Sequence, residues 1–445
     1  MRKMAIVGGA SGLAFVLLGW GIYQLLVESL EPRPVKPQMA SVPAEEDHPS
    51  FLHGRVVALD GTVYEGRLRW GRNQEAFWTD YFNGFQRGNP WGAYVASERL
   101  PKQKSSLGVF GLKIAAWDQP TDLGRSFLAR FGDIRRIETE VRDLRVTLKS
   151  GTSFAIDRFG ATDFDDGVRV WDPDHGLIDL GPRQIRTIEF FSRASRSPEV
   201  DPAHSGRAPS RLHGTVHTRQ GSFTGFLRWD REDVFAFDTL DGQTTDGNLS
   251  LPYHTIRSIS RVSDDGARVT LLDGREIDLS GTHEVGQGHR GVYVDEERYG
   301  RVRISWDAFE RVELSLGSYG PAYDDFPPGR PLIGSVTTRD GRRLSGRWVY
   351  DLDESETTET LDVGFEGVDY AIPFGRVASM DPAHGEHGVQ LTKVTLHNGE
   401  ELRVEANGDV GEENRGLLVF VQNSKPPEYL PWSEVQRIVF ETPTK

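Results

Sequence analysis

A glycine-punctuated block of sequence occurs three times in this 445-residue chain. A repeat of this kind determines the architecture before any single motif does. The block begins at Leu52-His53-Gly54-Arg55-Val56 and returns at residues 212–216 and 332–336. In each copy a second glycine stands seven positions after the first, a third follows four or five positions later, and a large aromatic residue comes next. Short β-type runs flank the second glycine, which can adopt the positive φ of a tight turn, so the block predicts a β-hairpin.

A second block follows the first in every copy. Arg145-Val146-Thr147-Leu148 matches residues 268–271 and 393–396, and each copy ends on a related strand. The two blocks together predict an all-β chain of three tandem units, each a pair of small barrel or sandwich modules. Modules of this size commonly close on themselves, because closure removes exposed strand edges.

Single modules resemble small SH3-like barrels, including the Sm-like and PRC-barrel families. The resemblance rests on the pattern Gly-x-Val-x-x-x-x-Gly, on the later glycine and on the closing strand Ile372-Pro373-Phe374. It implies an SH3-like fold for each module. It carries no nucleotide-binding or RNA-binding signature.

Changes in composition along the chain give the expected domain boundaries. We expect a cytoplasmic tip and transmembrane helix at 1–28, a Pro-rich tether at 29–50, unit 1 at 51–191, a linker at 192–210, unit 2 at 211–315, a linker at 316–330, unit 3 at 331–440 and a tail at 441–445.

The N-terminal segment predicts a membrane anchor. Residues 4–27 carry no charge, and a helix of that length crosses a hydrocarbon core of about 30 Å. A cleaved signal peptide has a shorter apolar core and a small-x-small cleavage site, which this segment lacks. Trp20 and Tyr23 are expected at the membrane interface. Gly8 and Gly12 have the spacing of a helix-packing motif, although membrane helices also tolerate glycines without such a role.

Charge predicts the orientation of this anchor. Arg2 and Lys3 precede the apolar run, and positive flanks stay in the cytoplasm. The chain is therefore expected to be a single-pass protein of the inner membrane, in contact with the lipid bilayer through residues 4–27 and with its body in the periplasm.

Composition excludes several classes of site. The chain has no cysteine, which removes disulfides, thiolate metal sites and a cysteine nucleophile. Acidic residues outnumber basic ones by 66 to 52, so a nucleic-acid partner is not expected.

No metal or cofactor is predicted. His213 and His217 approach a ligand spacing, but in a strand residues four apart lie about 13 Å from each other. The acidic clusters do not follow a calcium-loop pattern. No catalytic motif is present either, so no catalytic residue is assigned and we expect a protein that is not an enzyme.

The motif [Asp/Glu]-Val-Gly-x-x-[His/Asn]-Arg-Gly occurs in the second and third units. We expect a structural ion pair between Glu284 and Arg290, and another between Asp409 and Arg415, across each glycine-rich loop. The alternative is that the two arginines bind an anionic ligand.

An insertion at about residues 81–130 interrupts the repeat. The first block spans 86 residues in unit 1 and 48 in unit 2. Aromatic and arginine side chains dominate interface hot spots, so we expect the insertion to dock onto a membrane-protein partner or the lipid surface. A small satellite core on its own module is the alternative. The candidate contact residues are Tyr81, Phe82, Phe85, Arg87, Trp91, Tyr94, Phe110 and Trp117.

These features favour a membrane-anchored periplasmic scaffold that docks onto and stabilises an integral membrane protein complex, of respiratory or photosynthetic type among other hosts. A sensor of ligands or polysaccharides is the first alternative, and it requires a pocket lined by Trp70, Trp229 or Trp306. A hydrolase with two carboxylates about 5–10 Å apart is the second.

Overall fold

The computed structural model describes residues 49–86, 88–99, 103–109, 112–119, 125–193, 211–316, 320–383, 390–421 and 426–442. These residues belong to one compact body, Ser41–Lys445. They form strands joined by turns and short 3-10 helices, which confirms the all-β prediction. Within these ranges no helix is long and apolar enough to span a bilayer. The predicted membrane helix, with Gly8, Gly12, Trp20 and Tyr23, lies outside them, as do Arg87 and Phe110.

Among the described residues, ten strands recur in the same order in each unit, and unit 1 has two more in its insertion. Unit 1 contains β1 His53–Ala58, β2 Val63–Trp70, β3 Tyr81–Gln86, β4 Gln103–Val109, β5 Leu112–Gln119, β6 Arg125–Arg130, β7 Ile134–Thr139, β8 Asp143–Leu148, β9 Ser153–Asp157, β10 Val168–Asp172, β11 Gly176–Leu180 and β12 Ile185–Phe190. Unit 2 contains β13 Leu212–Thr218, β14 Gly221–Arg228, β15 Thr239–Thr244, β16 Gly247–Pro252, β17 Ile256–Ser263, β18 Gly266–Leu271, β19 Glu276–Ser280, β20 Val292–Glu296, β21 Gly300–Ile304 and β22 Phe309–Leu316. Unit 3 contains β23 Ile333–Thr338, β24 Arg343–Val349, β25 Thr360–Phe365, β26 Val368–Pro373, β27 Val377–Asp381, β28 Leu391–Leu396, β29 Glu401–Glu405, β30 Leu417–Val421, β31 Glu428–Leu430 and β32 Val435–Phe440.

Short 3-10 helices connect some of these strands. They are Pro90–Tyr94, Ser97–Arg99, Phe131–Asp133, Thr162–Phe164, Tyr253–Thr255, His283–Val285, Tyr323–Asp325, Phe374–Arg376, Gly408–Val410 and Trp432–Glu434.

The two modules of each unit are nested. The sheet of unit 1 has the order β11-β10-β2-β1-β12-β7-β8-β9. Strands β1, β2, β10, β11 and β12 form an outer module, and the chain between β2 and β10 forms an inner module of β3 and β6–β9. The same nesting occurs in units 2 and 3.

This nesting corrects the expectation of two consecutive modules per unit. Strand β7 ends the first sequence block, yet it forms a hairpin with β8 and does not close onto β1. The place beside β1 is taken by β12, which comes from the end of the second block. Strand β12 also pairs with β7, so the outer and inner modules share one sheet.

The repeated glycines allow strands to approach closely. A Cβ atom on Gly66 would lie 2.0 Å from the carbonyl oxygen of Trp171 in β10. A Cβ atom on Gly54 would lie 2.4 Å from the carbonyl oxygen of Glu189 in β12. The second glycine of the block, Gly61, has φ of 92°, as the turn requires.

Units 2 and 3 share a sheet, whereas unit 1 has its own. Strand β21 of unit 2 pairs antiparallel with β26 of unit 3, which produces a sheet of 12 strands. The buried side chains of these two units accordingly form one continuous core. Unit 1 buries a separate core.

Buried charges connect unit 1 to unit 2. The carboxylate of Asp80 is fully buried and accepts hydrogen bonds from Arg228 at 2.5 Å and Arg211 at 3.2 Å. Arg301 of unit 2 lies 3.9 Å above the Tyr81 ring of unit 1 and donates to the Thr79 carbonyl.

The segment between units 2 and 3 is more than a spacer. Tyr323 and Phe326 lie within residues 316–330, and both are buried in the core of unit 1. The Tyr323 hydroxyl donates to the Ile134 carbonyl at 2.9 Å, and Lys149 donates to the Phe326 carbonyl at 3.0 Å. This segment therefore fastens unit 1 to the other two units.

Candidate functional site

A cleft of about 1040 Å³ lies where the three units meet. Its walls carry both signs of charge, so the ion pairs within it determine what it could bind. The polar lining includes Arg72, Asn73 and Asp166 of unit 1, Arg231, Arg290, Tyr293 and Arg303 of unit 2, and Asp362, Glu366 and Asp369 of unit 3.

The charges of this central cleft largely satisfy one another. Arg72 pairs with Asp166 at 3.1 Å, and Arg303 pairs with Asp369 across the boundary of units 2 and 3 at 2.8 Å. Arg231 donates to the Tyr293 hydroxyl at 2.9 Å. A charged ligand would have to displace such contacts, so the cleft is better suited to joining the units than to holding an ion.

Asp362 is the acid in this cleft with the clearest perturbation. The Asp362 residue keeps surface exposed to solvent, yet the protein atoms packed around its carboxylate reduce hydration of the charged form. This desolvation raises the pKa of Asp362 to about 6. Its backbone N–H donates to the Asp409 carboxylate at 2.6 Å. Asp409 therefore binds the backbone of Asp362 in strand β25, whereas the sequence predicted an ion pair with Arg415.

Both predicted structural ion pairs have the wrong acid. Arg290 pairs with Asp230 at 2.9 Å, and not with Glu284. Arg415 pairs with Asp351 at 3.4 Å, and not with Asp409.

The nesting of the modules explains these partners. Asp230 and Asp351 follow the large aromatic residue where the chain leaves the outer module, and the two arginines stand where it returns. Each ion pair thus joins the exit and return segments of the inner module, and we call this contact the crossover clamp. Glu284 instead accepts the Asp241 backbone N–H at 2.5 Å, as Asp409 does for Asp362.

Unit 1 has a different crossover clamp. Gly71 stands where units 2 and 3 have an aspartate, and its N–H donates to the Gly167 carbonyl at 2.9 Å. In the neighbouring Arg72–Asp166 pair the basic residue comes first along the chain, whereas in units 2 and 3 the acidic residue comes first. Unit 1 keeps only a remnant of the motif because Asp166 stands where units 2 and 3 have the arginine, and a backbone hydrogen bond together with this reversed ion pair joins the two segments.

Acids with raised pKa values surround the clamps of units 2 and 3. Burial raises the pKa of Asp233 and of Glu284 to about 7 in unit 2, and that of Glu359 to about 7 in unit 3. In unit 1 the amide Gln74 stands at the position of Asp233, and it donates to Asp163 at 3.0 Å. The sequence placed Glu284 in an ion pair with Arg290 and did not single out Asp233 or Glu359. A signal that could have drawn attention to Asp233 is the acid that recurs 121 positions later, Glu354.

The three tryptophans required by a sugar-binding pocket do not line the cleft. Trp70, Trp229 and Trp306 are each at least 96% buried in the module cores. Trp229 and Trp306 also donate their indole N–H groups to the backbone carbonyls of Glu284 and Asp264.

The two histidines with a near-ligand spacing, His213 and His217, have protein partners. His213 and His217 bond through Nδ1 to the hydroxyls of Ser315 and Ser222, at 2.9 and 2.8 Å. Among the residues that the structure describes, no group of three or more acids and histidines is arranged to hold a metal ion.

The insertion residues whose side chains the structure describes pack largely against the rest of the chain. Tyr81 and Phe82 are buried, and Phe82 lies edge-on to Trp70 with 5.5 Å between ring centroids. Trp91 and Tyr94 lie edge-on to Phe420 of unit 3, at 6.1 and 6.3 Å. The described insertion residues and unit 3 share a small core of Val95, Val349, Leu352, Leu418 and Tyr429.

Polar contacts strengthen this attachment. Arg125 forms a buried ion pair with Asp353 of unit 3 at 2.9 Å. Asn89 donates to the Leu352 carbonyl at 2.7 Å. The surface expected for Tyr81, Phe82 and Trp91 to meet a partner is therefore occupied by the protein itself. Phe82 packs on its own module, as the alternative stated, but the small satellite core forms on unit 3.

Two of the candidate contact residues keep an exposed ring. Phe85 is 40% exposed and Tyr94 is 48% exposed. A Cβ atom on Gly160 would lie 3.2 Å from the Cβ of Phe85, and the residue that precedes Gly160 along the chain, Phe159, is 73% exposed. We refer to Phe85 and Phe159, two exposed rings of the inner module of unit 1, as the aromatic patch. Trp117 lies in β5, next to a part of the insertion that the structure does not describe.

Comparison with known proteins adds no assignment. No family model matches the chain, and no curated protein matches it.

Proposed function

We propose that the protein is a non-enzymatic scaffold, anchored in the inner membrane through residues 4–27, whose periplasmic body docks onto and stabilises an integral membrane protein complex. The observation that carries this proposal is the use of charge in the body. Several buried charged groups, which in enzymes often face a substrate, here pair across the boundaries between units, as Asp80 does with Arg228 and Arg125 does with Asp353.

Rigidity supports a scaffold role. Unit 1 is held to unit 2 through Asp80, to unit 3 through Arg125, and to the segment before unit 3 through Tyr323. A body whose parts are fixed in this way can hold two partners at a constant separation. It also loses little conformational entropy when the partners bind.

The aromatic patch is the proposed docking surface. Phe85 and Phe159 expose large apolar rings on the unit that follows the membrane segment in sequence. Exposed apolar clusters on proteins commonly mark interaction sites. Aromatic side chains also supply much of the binding energy of interfaces.

We also propose that each outer module is an SH3-like barrel. Its five strands are arranged along the sheet in the order fourth, third, second, first, fifth, as β11-β10-β2-β1-β12 in unit 1. This order supports the resemblance that the glycine pattern suggested.

Extraction of native membranes tests the docking proposal. The tagged full-length chain is solubilised in mild detergent, and the proteins that accompany it are identified by mass spectrometry. We expect at least one integral membrane protein to co-purify with the natural chain and to be lost with Phe85→Ser combined with Phe159→Ser.

Phe237→Ser is the matched control, because Phe237 is 55% exposed on unit 2, outside the proposed surface. It should leave co-purification unchanged. Equal recovery of the membrane protein with the double variant and with the control would contradict the docking surface.

A further inference from the structure

Three strands occupy equivalent edges of the three outer modules, and two of them are covered. Strand β21 of unit 2 pairs with β26 of unit 3. Strand β31 of unit 3 is covered by the insertion, where Arg99 donates to the Tyr429 carbonyl at 3.3 Å and lies 5.0 Å above its ring. Strand β11 of unit 1 pairs only with β10 within the described part of the chain.

Strand β26, which covers β21, has an equivalent in unit 2 whose outer edge is unpaired among the described residues. Strand β16 of unit 2 corresponds to β26 of unit 3, 121 positions later in the sequence. Among the described residues β16 is an end strand of the 12-stranded sheet and pairs only with β15. Its residues, from Gly247 to Pro252, carry no charge, and β16 has no bulge in its pairing with β15. Edge strands are normally protected by charges or bulges, and before its terminal proline β16 has neither.

The pairing of β21 with β26 defines how such edges fit. Val302 faces Tyr370 and Arg303 faces Asp369 in this antiparallel register. Gly176 begins β11 as Gly300 begins β21, each at positive φ after the turn.

We infer that β11 of one copy pairs antiparallel with β16 of a second copy, in the register by which β21 pairs with β26. Ile178 then faces Leu249, and Asp179 faces Asn248. The partner is a second copy because this chain carries both edges and pairs their equivalents with each other in units 2 and 3.

Packing at the two edges agrees with this pairing. Val302 and Tyr370 lie in one core that runs across the β21–β26 junction. Ile178 and Leu249 are only partly buried, at the margins of the cores of units 1 and 2. Pairing would bury both side chains further and add a row of backbone hydrogen bonds. Since β11 and β16 are different surfaces, the contact is heterologous and produces a ring or an open row of copies.

Cysteine cross-linking tests the inference cleanly, because the natural chain has no cysteine. Asp179→Cys and Asn248→Cys are made in separate full-length chains, since both side chains are exposed. Directly opposed cross-strand residues are close enough for a disulfide. After mild oxidation in native membranes, we expect a disulfide-linked dimer when the two variants are co-expressed, and no dimer from either variant alone.

Two controls make the result decisive. Arg303→Cys combined with Asp369→Cys in one chain should form an internal disulfide, which shows that oxidation detects this register. Asp278→Cys on the exposed face of β19 should not cross-link to Asn248→Cys.

Three outcomes would overturn the inference. The first is no dimer in the co-expressed pair while the internal disulfide forms. The second is a dimer of Asp179→Cys with itself, which would mean an isologous contact. The third is a disulfide between Asp179→Cys and a different protein, which would mean that another chain covers β11.

Discussion

Arg125 in unit 1 and Asp353 in unit 3 form an ion pair of 2.9 Å, although 228 positions separate them in the sequence. Both side chains are buried, and Arg125 also donates to the Asp353 backbone carbonyl. Because Arg125 lies in the strand that ends the insertion, this pair makes the insertion a fastening between the first and last units.

Asp353→Asn should therefore weaken the body at pH 8. The amide keeps the shape of the carboxylate but leaves the Arg125 guanidinium buried with less countercharge, and breaking a buried pair typically costs about 3–5 kcal/mol. Urea unfolding of the full-length protein in detergent, followed by tryptophan fluorescence, measures the loss. Asp273→Asn, in the exposed pair with Arg275, should leave the midpoint unchanged. Equal midpoints for the two variants would contradict the fastening role.

The third glycine of the repeated block should not tolerate a side chain. A Cβ atom on Gly225 would lie 2.1 Å from the Asp295 carbonyl oxygen, so Gly225→Ala would push β14 away from β20. Overpacking of this kind costs about 1–3 kcal/mol, and thermal unfolding should show a lower midpoint. Gly88, with open space around its Cα, provides the control, and Gly88→Ala should unfold like the natural protein.

A double-mutant cycle distinguishes the two partners considered for Arg290. Asp230→Asn and Arg290→Met should show a coupling free energy of at least about 0.5 kcal/mol, because these side chains are in contact. Glu284→Gln and Arg290→Met should be additive within about 0.3 kcal/mol. Stronger coupling to Glu284 than to Asp230 would restore the pair predicted from sequence.

Stability should fall as the pH rises through neutrality. Burial raises the pKa of Glu284 and Asp233 to about 7, so the folded protein holds protons that the unfolded chain has already released. The stability gained from these protons is present at about pH 5 and lost by about pH 8. The thermal midpoint should decrease over that interval.

Glu284→Gln should flatten this decrease, because the amide is neutral throughout and can still accept the Asp241 N–H. Glu276→Gln, at an exposed position, should keep the slope of the natural protein. Identical slopes for Glu284→Gln and the natural protein would show that Glu284 does not titrate in this range.

Removal of residues 2–28 should release the protein from the membrane. The uncharged run of residues 4–27 is the proposed anchor, and export of the shortened chain by a cleavable signal should place the body in the soluble periplasmic fraction. Fractionation followed by immunoblotting measures this. Retention of the shortened chain in membranes after a carbonate wash would mean that another segment inserts into the bilayer.

The repeat made the all-β class predictable from sequence. Its glycines are determined by local geometry, as at Gly61, where the turn needs positive φ, and at Gly66, where β10 approaches closely. Such constraints act within a few residues or at one contact, and they recur in each copy. They are therefore visible as a pattern.

The nesting of modules could not be predicted in the same way. Local sequence is nearly the same whether β7 closes onto β1 or leaves that place to β12, because both arrangements use hairpins and short turns. The ion pairs were wrong for the same reason, since Glu284 is near Arg290 in sequence while Asp230 comes near it only when the inner module returns. The aromatic residues of the insertion were expected to meet a partner, but Trp91 packs against Phe420 of unit 3.

Thermal stability of membrane proteins in native membranes tests the scaffold proposal most directly. Membranes from cells with and without this protein are heated over a series of temperatures, and the fraction of each membrane protein that remains soluble in detergent is measured by mass spectrometry. We predict that at least one integral membrane protein melts at a lower temperature without the scaffold. The natural chain should restore its midpoint, and the chain with Phe85→Ser and Phe159→Ser should not. Unchanged midpoints for all integral membrane proteins in cells lacking this protein would contradict the proposal.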